Sequence, residues 1–352
     1  MKIKSLLASF MLLSAVSMTA GGNEYAHLYD NLPFEMPVID RPAIPSRQVD
    51  LKEFGGVGDG ITLNTKAFAE AINKLSKQGG GTLNVPAGIW LTGPIVLKSN
   101  INLHLDAGAM IVFAADESLY DTVYVVYEGF EAWRTQSPIS GVNLENVSIT
   151  GDGIIDGNGG MWRPVKKDKM NTAEWKNLIA KGGIVNGNVW YPSQSYIDGE
   201  EMAKGDRRAK LTKEEAQSIK RYLRPVMVQL VGCKNVLLQG VTFQNSPAWN
   251  VHPLMCENLI VDGVFIKNPD YAQNGDGLDV ESCTNVIIYR STLDVGDDAI
   301  CLKSGKDEAG RKRGVPTSNV IVRDCRVFHG HGGFVVGSEM SGGVNNVSVS
   351  DC

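Results

Sequence analysis

The sequence predicts an all-β protein of the coiled solenoid type, a parallel β-helix in which the strands of successive coils stack. The main observation is a repeat in which an asparagine opens a short, apolar, β-rich run. The repeat occurs at Asn146, Asn235, Asn258, Asn285, Asn319 and Asn346. From Asn235 onwards the starts are separated by 23, 27, 34 and 27 residues, the period of a β-helix coil with variable loops. The 39 glycines and the low aromatic content of 7% also suit short strands joined by turns.

The repeat positions have a physical rationale. Asparagine tolerates a left-handed backbone at a turn, and its amide can hydrogen-bond to the asparagine of the next coil. Five cysteines also occupy repeat positions: Cys233, Cys256, Cys283, Cys325 and Cys352. We therefore expect buried columns of thiols rather than disulfides, although disulfides are common in exported proteins. The alternative is a β-sandwich with chance Asn-Val pairs, which six matches to one pattern disfavour.

The start of the chain predicts export. Residues 1–21 have the layout of a secretory signal peptide, with two lysines, an apolar run over 6–16 and then small residues. The apolar run is shorter than the roughly 20 residues that a membrane span requires, so we expect a periplasmic or extracellular protein without a membrane span. Residues 22–48 are proline-rich and aperiodic, which predicts an extended arm. Residues 49–352 form the predicted parallel β-helix domain.

Two segments of that domain are predicted to leave the strand pattern. Residues 66–76 place apolar side chains at helical spacing, and one amphipathic helix at this point suits a cap on the open end of the solenoid. An insertion at about 162–224 interrupts the repeat and contains candidate helices at 172–180 and 212–222. Because solenoids accept large insertions only in loops, we expect this one to form a wall beside a groove. The chain stops at Cys352 within a coil, which predicts that C-terminal coils are missing.

The repeat also places the acidic residues. Asp297 follows Asn285 by the same distance at which His331 follows Asn319, so the two should stack roughly 5 Å apart in neighbouring coils. Asp276 is placed by its distance before Asn285. The predicted line along one face comprises Trp249, Asp276, Asp297 with Asp298, and His331.

Clustered carboxylates favour glycoside hydrolysis. Neighbouring carboxylates repel when both are ionised, so one pKa should rise and provide a proton donor, while another carboxylate activates water. The glycines around His331 indicate a place where a ligand approaches the backbone. Two alternatives stay open, namely aspartates that cap turns and a calcium site. The oxygen ligands of such a calcium site would come from Asp276, Asp279, Asp294, Asp297 and Asp298.

Three motifs together resemble glycoside hydrolase family 28, the polygalacturonase family. They are Asn274-Gly-Asp-Gly-Leu-Asp, Gly296-Asp-Asp and Gly330-His-Gly, in that order. The opening segment, with Gly58-Asp-Gly and Pro86-Ala-Gly, is also similar, so the resemblance covers roughly residues 50–352. It implies a right-handed parallel β-helix and an inverting hydrolase of galacturonan, similar to bacterial exo-polygalacturonases, that uses neither metal nor cofactor.

The resemblance also implies roles for individual residues. Asp297 would be the general acid, Asp276 and Asp298 the bases that position and deprotonate water, and His331 a support for the acid or for a sugar. The expected substrate-binding residues are Asn274, Trp249, His252, Lys303 and Gly332. Two departures are present. Gly275 stands where the family usually has threonine, and no Arg-x-Lys follows Gly-His-Gly, so we expect the 352-residue chain to be weakly active or inactive.

The predicted function is inverting hydrolysis of α-1,4-galacturonosyl linkages in pectin or polygalacturonate, and the insertion favours action at a chain end. The alternatives are a hydrolase of rhamnogalacturonan or another substituted pectin, a calcium-dependent pectate lyase, and a non-catalytic carbohydrate-binding β-helix. The expected partner is an acidic plant polysaccharide. The net charge of −5 argues against non-specific binding of nucleic acid, and we expect a monomer.

Overall fold

The computed structural model describes residues 23–352, and the predicted signal peptide lies outside this range. The chain winds into a right-handed parallel β-helix, as predicted, with three long parallel sheets that receive one strand each from successive coils. Within residues 23–352 no helix is both long and apolar enough to cross a bilayer.

The strands are described by sheet. The asparagine sheet contains nine strands, Gln48–Asp50, Gly81–Val85, Ile101–Leu105, Glu145–Gly151, Lys234–Gln239, Glu257–Asp262, Thr284–Tyr289, Thr317–Arg323 and Val344–Ser350. The second sheet contains Gly88–Thr92, Ala109–Phe113, Ile154–Asp156, Thr242–Gln244, Phe265–Lys267, Thr292–Asp294 and Arg326–Val327. The third, which we call the cleft sheet, contains Ile95–Val96, Ile139–Val142, Val228–Val231, Val251–Leu254, Leu278–Glu281, Ile300–Lys303 and Phe334–Val336.

The asparagine repeat forms one continuous column. Each member has a left-handed φ between 53° and 62°, and each amide Nδ2 donates to Oδ1 of the asparagine one coil earlier at 2.9–3.2 Å. The column begins at Asn100, one coil before the first asparagine that the sequence pattern revealed. Both predicted properties of the asparagines, the backbone conformation and the amide ladder, are confirmed.

The thiol columns are present as well. Cys233, Cys256, Cys283 and Cys325 are buried and unbonded, whereas Cys352 is exposed. The backbone N–H of Cys256 donates to the sulfur of Cys283 at 3.4 Å. Burial raises the pKa of Cys325 to about 12, so this thiol stays protonated and unreactive at neutral pH.

The N-terminal end of the solenoid is closed by helix α1, Thr65–Lys77. Its predicted apolar face is buried, with Phe68, Ile72 and Leu75 at most 1% exposed. The helix packs against the first strands of the asparagine and cleft sheets. The prediction of a capping helix is therefore confirmed.

Residues 23–47 run over the outer face of the asparagine sheet. Apart from a 3-10 helix at Ala26–Tyr29, this arm has no helix or strand before Gln48. Its buried side chains pack on one apolar side chain from each of four successive coils. The cluster contains Tyr25, Leu28, Ile39, Leu237, Ile260, Ile287 and Ile321.

Two segments leave the solenoid on the side of the cleft sheet. An antiparallel hairpin consists of Thr122–Tyr127 and Phe130–Thr135. The insertion contains a small sheet and three helices: Val165–Lys166, Ile184–Asn186 and Val189–Tyr191, with α2 Thr172–Ala180, α3 Gln194–Met202 and α4 Lys213–Ser218. A further helix, α5, spans Asp307–Arg313. The predicted helix at 212–222 thus ends at Ser218, and α3, which contains Gly199 and shows no clear apolar period, was not predicted.

Candidate active site

The acidic residues lie in the turns that lead from the second sheet into the cleft sheet. Leu278 pairs with Ile300, and Ile300 pairs with Phe334. This register sets Asp297 level with His331, as expected from the repeat. It also sets Asp276 level with Asp298 of the neighbouring coil.

Asp297 and His331 are in direct contact. Nδ1 of His331 lies 3.1 Å from Oδ1 of Asp297, and the backbone N–H of His331 donates to the backbone carbonyl of Asp297 at 2.9 Å. The imidazole is 64% exposed and the Asp297 side chain 25% exposed. The pair therefore faces the groove, where both side chains can reach a ligand.

The three carboxylates converge. One oxygen each of Asp276, Asp297 and Asp298 lies within 4.8 Å of the others. Burial, followed by repulsion from Asp279 and Asp297, raises the pKa of Asp276 well above its ordinary value. Burial, followed by repulsion from Asp297, also raises the pKa of Asp298. The two residues whose pKa is raised are thus those to which the resemblance gives the role of base.

Asp276 is held in an unusual state for a buried acid. It is only 4% exposed, and its Oδ1 has no hydrogen-bond partner among the described residues. Buried polar atoms are generally satisfied, so an orphaned carboxylate oxygen indicates a position that a ligand or water completes. The arrangement can hold a water molecule, a sugar hydroxyl or a cation between the acids.

Three of the expected substrate-binding residues lie beneath the site. Trp249, His252 and Lys303 are 2%, 0% and 3% exposed, so they lie beneath the surface of the groove, and their expected contact with a sugar stays a prediction. Each has a protein partner, as Nε2 of His252 lies 2.9 Å from a Glu281 oxygen and the Lys303 ammonium lies 2.8 Å from Glu339. These residues support the acids from below.

Lys303 stays charged in this setting. Its ammonium also lies 3.5 Å from Asp279 and 4.5 Å from the centroid of the Trp249 ring. Burial alone would lower the pKa of Lys303, but Asp279 and Glu339 raise it above its ordinary value. Its positive charge moderates the repulsion that Asp276 and Asp298 experience.

Asn274 and Gly332 lie at the edge of the site. The side-chain oxygen of Asn274 accepts a hydrogen bond from Arg224 at 2.9 Å. Gly332 lies level with Asp298, and a side chain added there would meet the Val335 side chain at 2.3 Å. A larger residue at this position would therefore have to displace Val335 beside the acid cluster.

The insertion contributes two lysines that sequence reasoning did not consider. Lys166 and Lys169 line a pocket of about 100 Å³ together with Asp297 and His331. Lys169 also lines the adjoining pocket of about 520 Å³ beside His331. Both lysines are exposed. A lysine-rich run at the start of the insertion was visible in the sequence, but the insertion has no repeat and so no register that would place it.

A parallel β-helix with clustered carboxylates in a groove is the arrangement of a glycoside hydrolase. Residues 177–352 match the sequence profile described as Glycosyl hydrolases family 28. The chain belongs to glycoside hydrolase family 28.

Three similar proteins extend this assignment. The crystal structure of a hyperthermoactive exopolygalacturonase from Thermotoga maritima is 40% identical with a TM-score of 0.73, covering 89% of this chain and 67% of that one. A probable polygalacturonase from Vitis vinifera is 34% identical over 90% of this chain and 57% of its own length. An exo-poly-alpha-D-galacturonosidase from Dickeya chrysanthemi is 28% identical over 87% of this chain and 50% of its own length. The chain thus spans about half the length of these last two relatives.

Proposed function

We propose that the chain carries the catalytic centre of a polygalacturonase, which hydrolyses α-1,4-galacturonosyl linkages of pectin or polygalacturonate from a chain end with inversion at the anomeric carbon. The observation that carries this proposal is the convergence of Asp276, Asp297 and Asp298 within 4.8 Å, beside an exposed His331. Membership of family 28 supports the same reaction class.

In this proposal Asp297 protonates the leaving glycosidic oxygen, because it is the member of the cluster that contacts His331 and faces the groove. Asp276 and Asp298 lie level with one another in neighbouring coils and hold the attacking water. Each acts as a base only when ionised, so their raised pKa values make water activation stronger as the pH rises above the ordinary range of a carboxyl group.

The acid role of Asp297 is tested by Asp297→Asn in the whole protein. General-acid assistance is worth about 10²–10⁴ in rate, so we expect kcat on polygalacturonate to fall by that factor while the far-UV circular dichroism is unchanged. Asp324→Asn, on an exposed turn of the same solenoid, is the matched control. Unchanged hydrolysis by the Asp297 variant would contradict the catalytic assignment and favour a non-catalytic binding module.

Inversion is tested by the anomeric form of the first product. Proton NMR during early hydrolysis should show the β-anomer of the new reducing end. If the α-anomer forms first, the mechanism is retaining.

The substrate is proposed to be acidic because cations face the acid cluster. A buried uronate carboxylate needs a cationic partner, and Lys166 and Lys169 supply two positive charges beside Asp297. Lys169→Gln should raise KM for polygalacturonate about tenfold, the effect of losing one charge-assisted hydrogen bond. Lys176→Gln, exposed on α2, is the control. An equal effect of both substitutions would point to general charge attraction rather than a specific contact.

Action at a chain end is supported by the insertion and hairpin beside the groove and by the names of two of the similar proteins. Product analysis at early times should show monomer or dimer. A mixture of longer oligomers would contradict chain-end action. A parallel assay with rhamnogalacturonan as the substrate tests the alternative. Faster release of products from rhamnogalacturonan than from polygalacturonate would indicate a hydrolase of substituted pectin.

A calcium-dependent lyase is the second candidate, favoured by the three oxygens that lie close enough to hold a cation. A lyase forms unsaturated, ultraviolet-absorbing products and stops when calcium is chelated. Saturated products and full activity in a chelator would exclude it.

The cellular setting follows from the sequence prediction. We place the protein in the periplasm or outside the cell, released from a signal peptide at residues 1–21, with residues 49–352 as one β-helix domain that acts as a monomer. N-terminal sequencing of the protein from fractionated cells should find it without the first 21 or so residues.

A further inference from the structure

A second pocket, of about 260 Å³, lies between the hairpin, the insertion and the loop that precedes Asp276. Its walls are made mainly of arginine and tyrosine side chains. The residues that matter here are Tyr127, Arg134, Tyr196, Arg208, Tyr222 and Arg224. The acid cluster lies outside this pocket, and nothing in the proposed chemistry uses it.

Two of the arginines are buried without an anionic partner. Arg134 is 5% and Arg224 7% exposed, and among residues 23–352 no carboxylate forms an ion pair with either. Arg134 donates to the backbone carbonyl of Arg224, and Arg224 donates to the carbonyl of Gln273 at 2.9 Å and to Asn274 at 2.9 Å. Their hydrogen-bond partners are thus neutral.

Such burial is costly for a cation. Removal from water lowers the pKa of Arg134 to about 10, and buried charges in folded proteins are generally paired with an opposite charge. Two acidic residues also line the pocket, but each is engaged. Glu128 pairs with Arg208, and Glu200 accepts a hydrogen bond from Tyr191 at 3.1 Å. An excess of positive charge therefore remains at Arg134 and Arg224.

The remaining wall suits a sugar. The rings of Tyr196 and Tyr222 meet edge to face with centroids 5.5 Å apart, and the guanidinium of Arg134 lies 3.8 Å from the centroid of the Tyr127 ring. These ring contacts fix the positions of the arginine and tyrosine side chains around the pocket, and the surface they leave exposed is mostly polar, as the hydroxyls of a sugar require. The volume equals that of about nine water molecules at about 30 Å³ each, which suits one monosaccharide unit.

The pocket is joined to the acid cluster through one loop. Asn274, which Arg224 holds, lies two residues before Asp276. Gln273 lines both this pocket and the pocket that contains Asp297 and His331. A polysaccharide that enters the groove at the acids therefore reaches the arginine pocket with a neighbouring sugar.

We propose that this pocket binds the carboxylate of a terminal uronate unit, with Arg134 and Arg224 as its cationic partners. The inference rests on the proposed function, since it names the chain-end subsite of the same groove. It implies that the protein selects chains that end in a free acid and rejects those whose last unit is neutral or methyl-esterified.

The test measures binding of D-galacturonate by isothermal titration calorimetry, with D-galactose as the uncharged probe. Galacturonate should bind at least tenfold more tightly than galactose. Arg134→Gln should remove this preference. Arg207→Gln, whose side chain is 61% exposed in the same insertion, should leave it intact.

A second variant changes binding in the opposite direction. Glu128→Gln releases Arg208 from its ion pair and removes a negative charge from the pocket wall, so galacturonate should bind several-fold more tightly. This result does not depend on whether Arg134→Gln folds. Galacturonate binding that neither substitution alters would overturn the proposal.

The two proposals fail in different ways. Arg134-dependent binding of galacturonate without hydrolysis of polygalacturonate would overturn the polygalacturonase proposal and retain the pocket. Hydrolysis accompanied by binding that is indifferent to Arg134 and Glu128 would overturn the pocket and retain the enzyme.

Discussion

Two buried aspartates in neighbouring stretches of the chain have opposite surroundings. Asp262, under the N-terminal arm, accepts hydrogen bonds from Arg290 at 2.8 and 2.9 Å, from Tyr25 at 3.1 Å and from Gln239 at 3.0 Å. Asp276, in the groove, leaves one oxygen without a partner and has a raised pKa. The same scaffold can satisfy a buried acid fully, so the unsatisfied acid is a property of the site and not a weakness of the solenoid.

The buried cations also include one with carboxylate partners in the protein and one without. Lys303, beneath the acids, is buried between Glu339 and Asp279, whereas Arg134 is equally buried and has no carboxylate partner among the described residues. Charges that serve the scaffold are paired within the protein. Arg134 lies where a substrate is proposed to bind, and Lys303 does not depend on a ligand for its partners.

The largest expected effect comes from Asp276→Asn. Hydrolysis of polygalacturonate by the whole protein should fall by about 10²–10⁴, because the base that holds the water is lost. At neutral pH the free energy of unfolding should rise, because a poorly solvated carboxylate is replaced by a neutral amide. Initial rates and urea unfolding check the two parts. If Asp276→Asn lowered the free energy of unfolding at neutral pH, the carboxylate of Asp276 would be as well satisfied as that of Asp262, contrary to the comparison above.

Lys303→Met should reduce the free energy of unfolding by about 3 kcal/mol, because it leaves Glu339 and Asp279 buried without their cation. Lys312→Met is the matched control, since the Lys312 side chain is 76% exposed and its ion pair contributes little. Chemical denaturation of both variants gives the comparison. If Lys303→Met raised only KM and left the free energy of unfolding unchanged, direct contact of Lys303 with substrate would be supported.

Asp262→Asn should reduce the free energy of unfolding by about 1–3 kcal/mol, since hydrogen bonds from Arg290 and Tyr25 lose their charged acceptor. Hydrolytic activity should be unchanged at temperatures where the variant is folded. The expected change in stability is opposite in sign to that of Asp276→Asn, measured by the same urea titrations. If both substitutions changed the free energy of unfolding in the same direction, Asp262 and Asp276 would not differ in how well the protein satisfies their charge.

The smallest effect, taken per pH unit, is a pH dependence of the free energy of unfolding. A carboxyl whose pKa is raised in the folded state stabilises the protein at low pH, and this contribution is lost as the pH rises from about 4 through the raised value. For Asp276 the slope is at most about 1.4 kcal/mol per pH unit. Urea unfolding from pH 4.5 to 8 should therefore show a flatter profile in Asp276→Asn than in the unmodified protein. Parallel profiles would argue against a raised pKa at Asp276.

The sequence predicted those parts of the molecule that repeat. Regular spacing from the asparagines placed Asp297 against His331 and aligned the thiols, because a solenoid converts separation along the chain into position in space. The same spacing placed Asp276 level with Trp249 in the preceding coil, as the pairing of Val251 with Leu278 has it.

What the sequence did not predict lies outside the repeat. The hairpin, helix α3 and the pocket around Arg134 and Arg224 are formed by segments with no register, so their neighbours depend on tertiary packing alone. The burial of Trp249 and His252 was missed for a related reason. Spacing places a residue on a coil, but it does not tell whether the side chain points into the groove or beneath it.

The asparagine column has a practical consequence for protein engineering. Because each coil is aligned by the amide of its own asparagine, the length of chain between two asparagines is free to vary, as the spans of 23, 27 and 34 residues show. A wall segment can therefore be exchanged for that of a relative without resetting the scaffold beneath it. Substrate specificity in such a protein can therefore be changed by exchanging loops, while the asparagine ladder keeps the coils aligned.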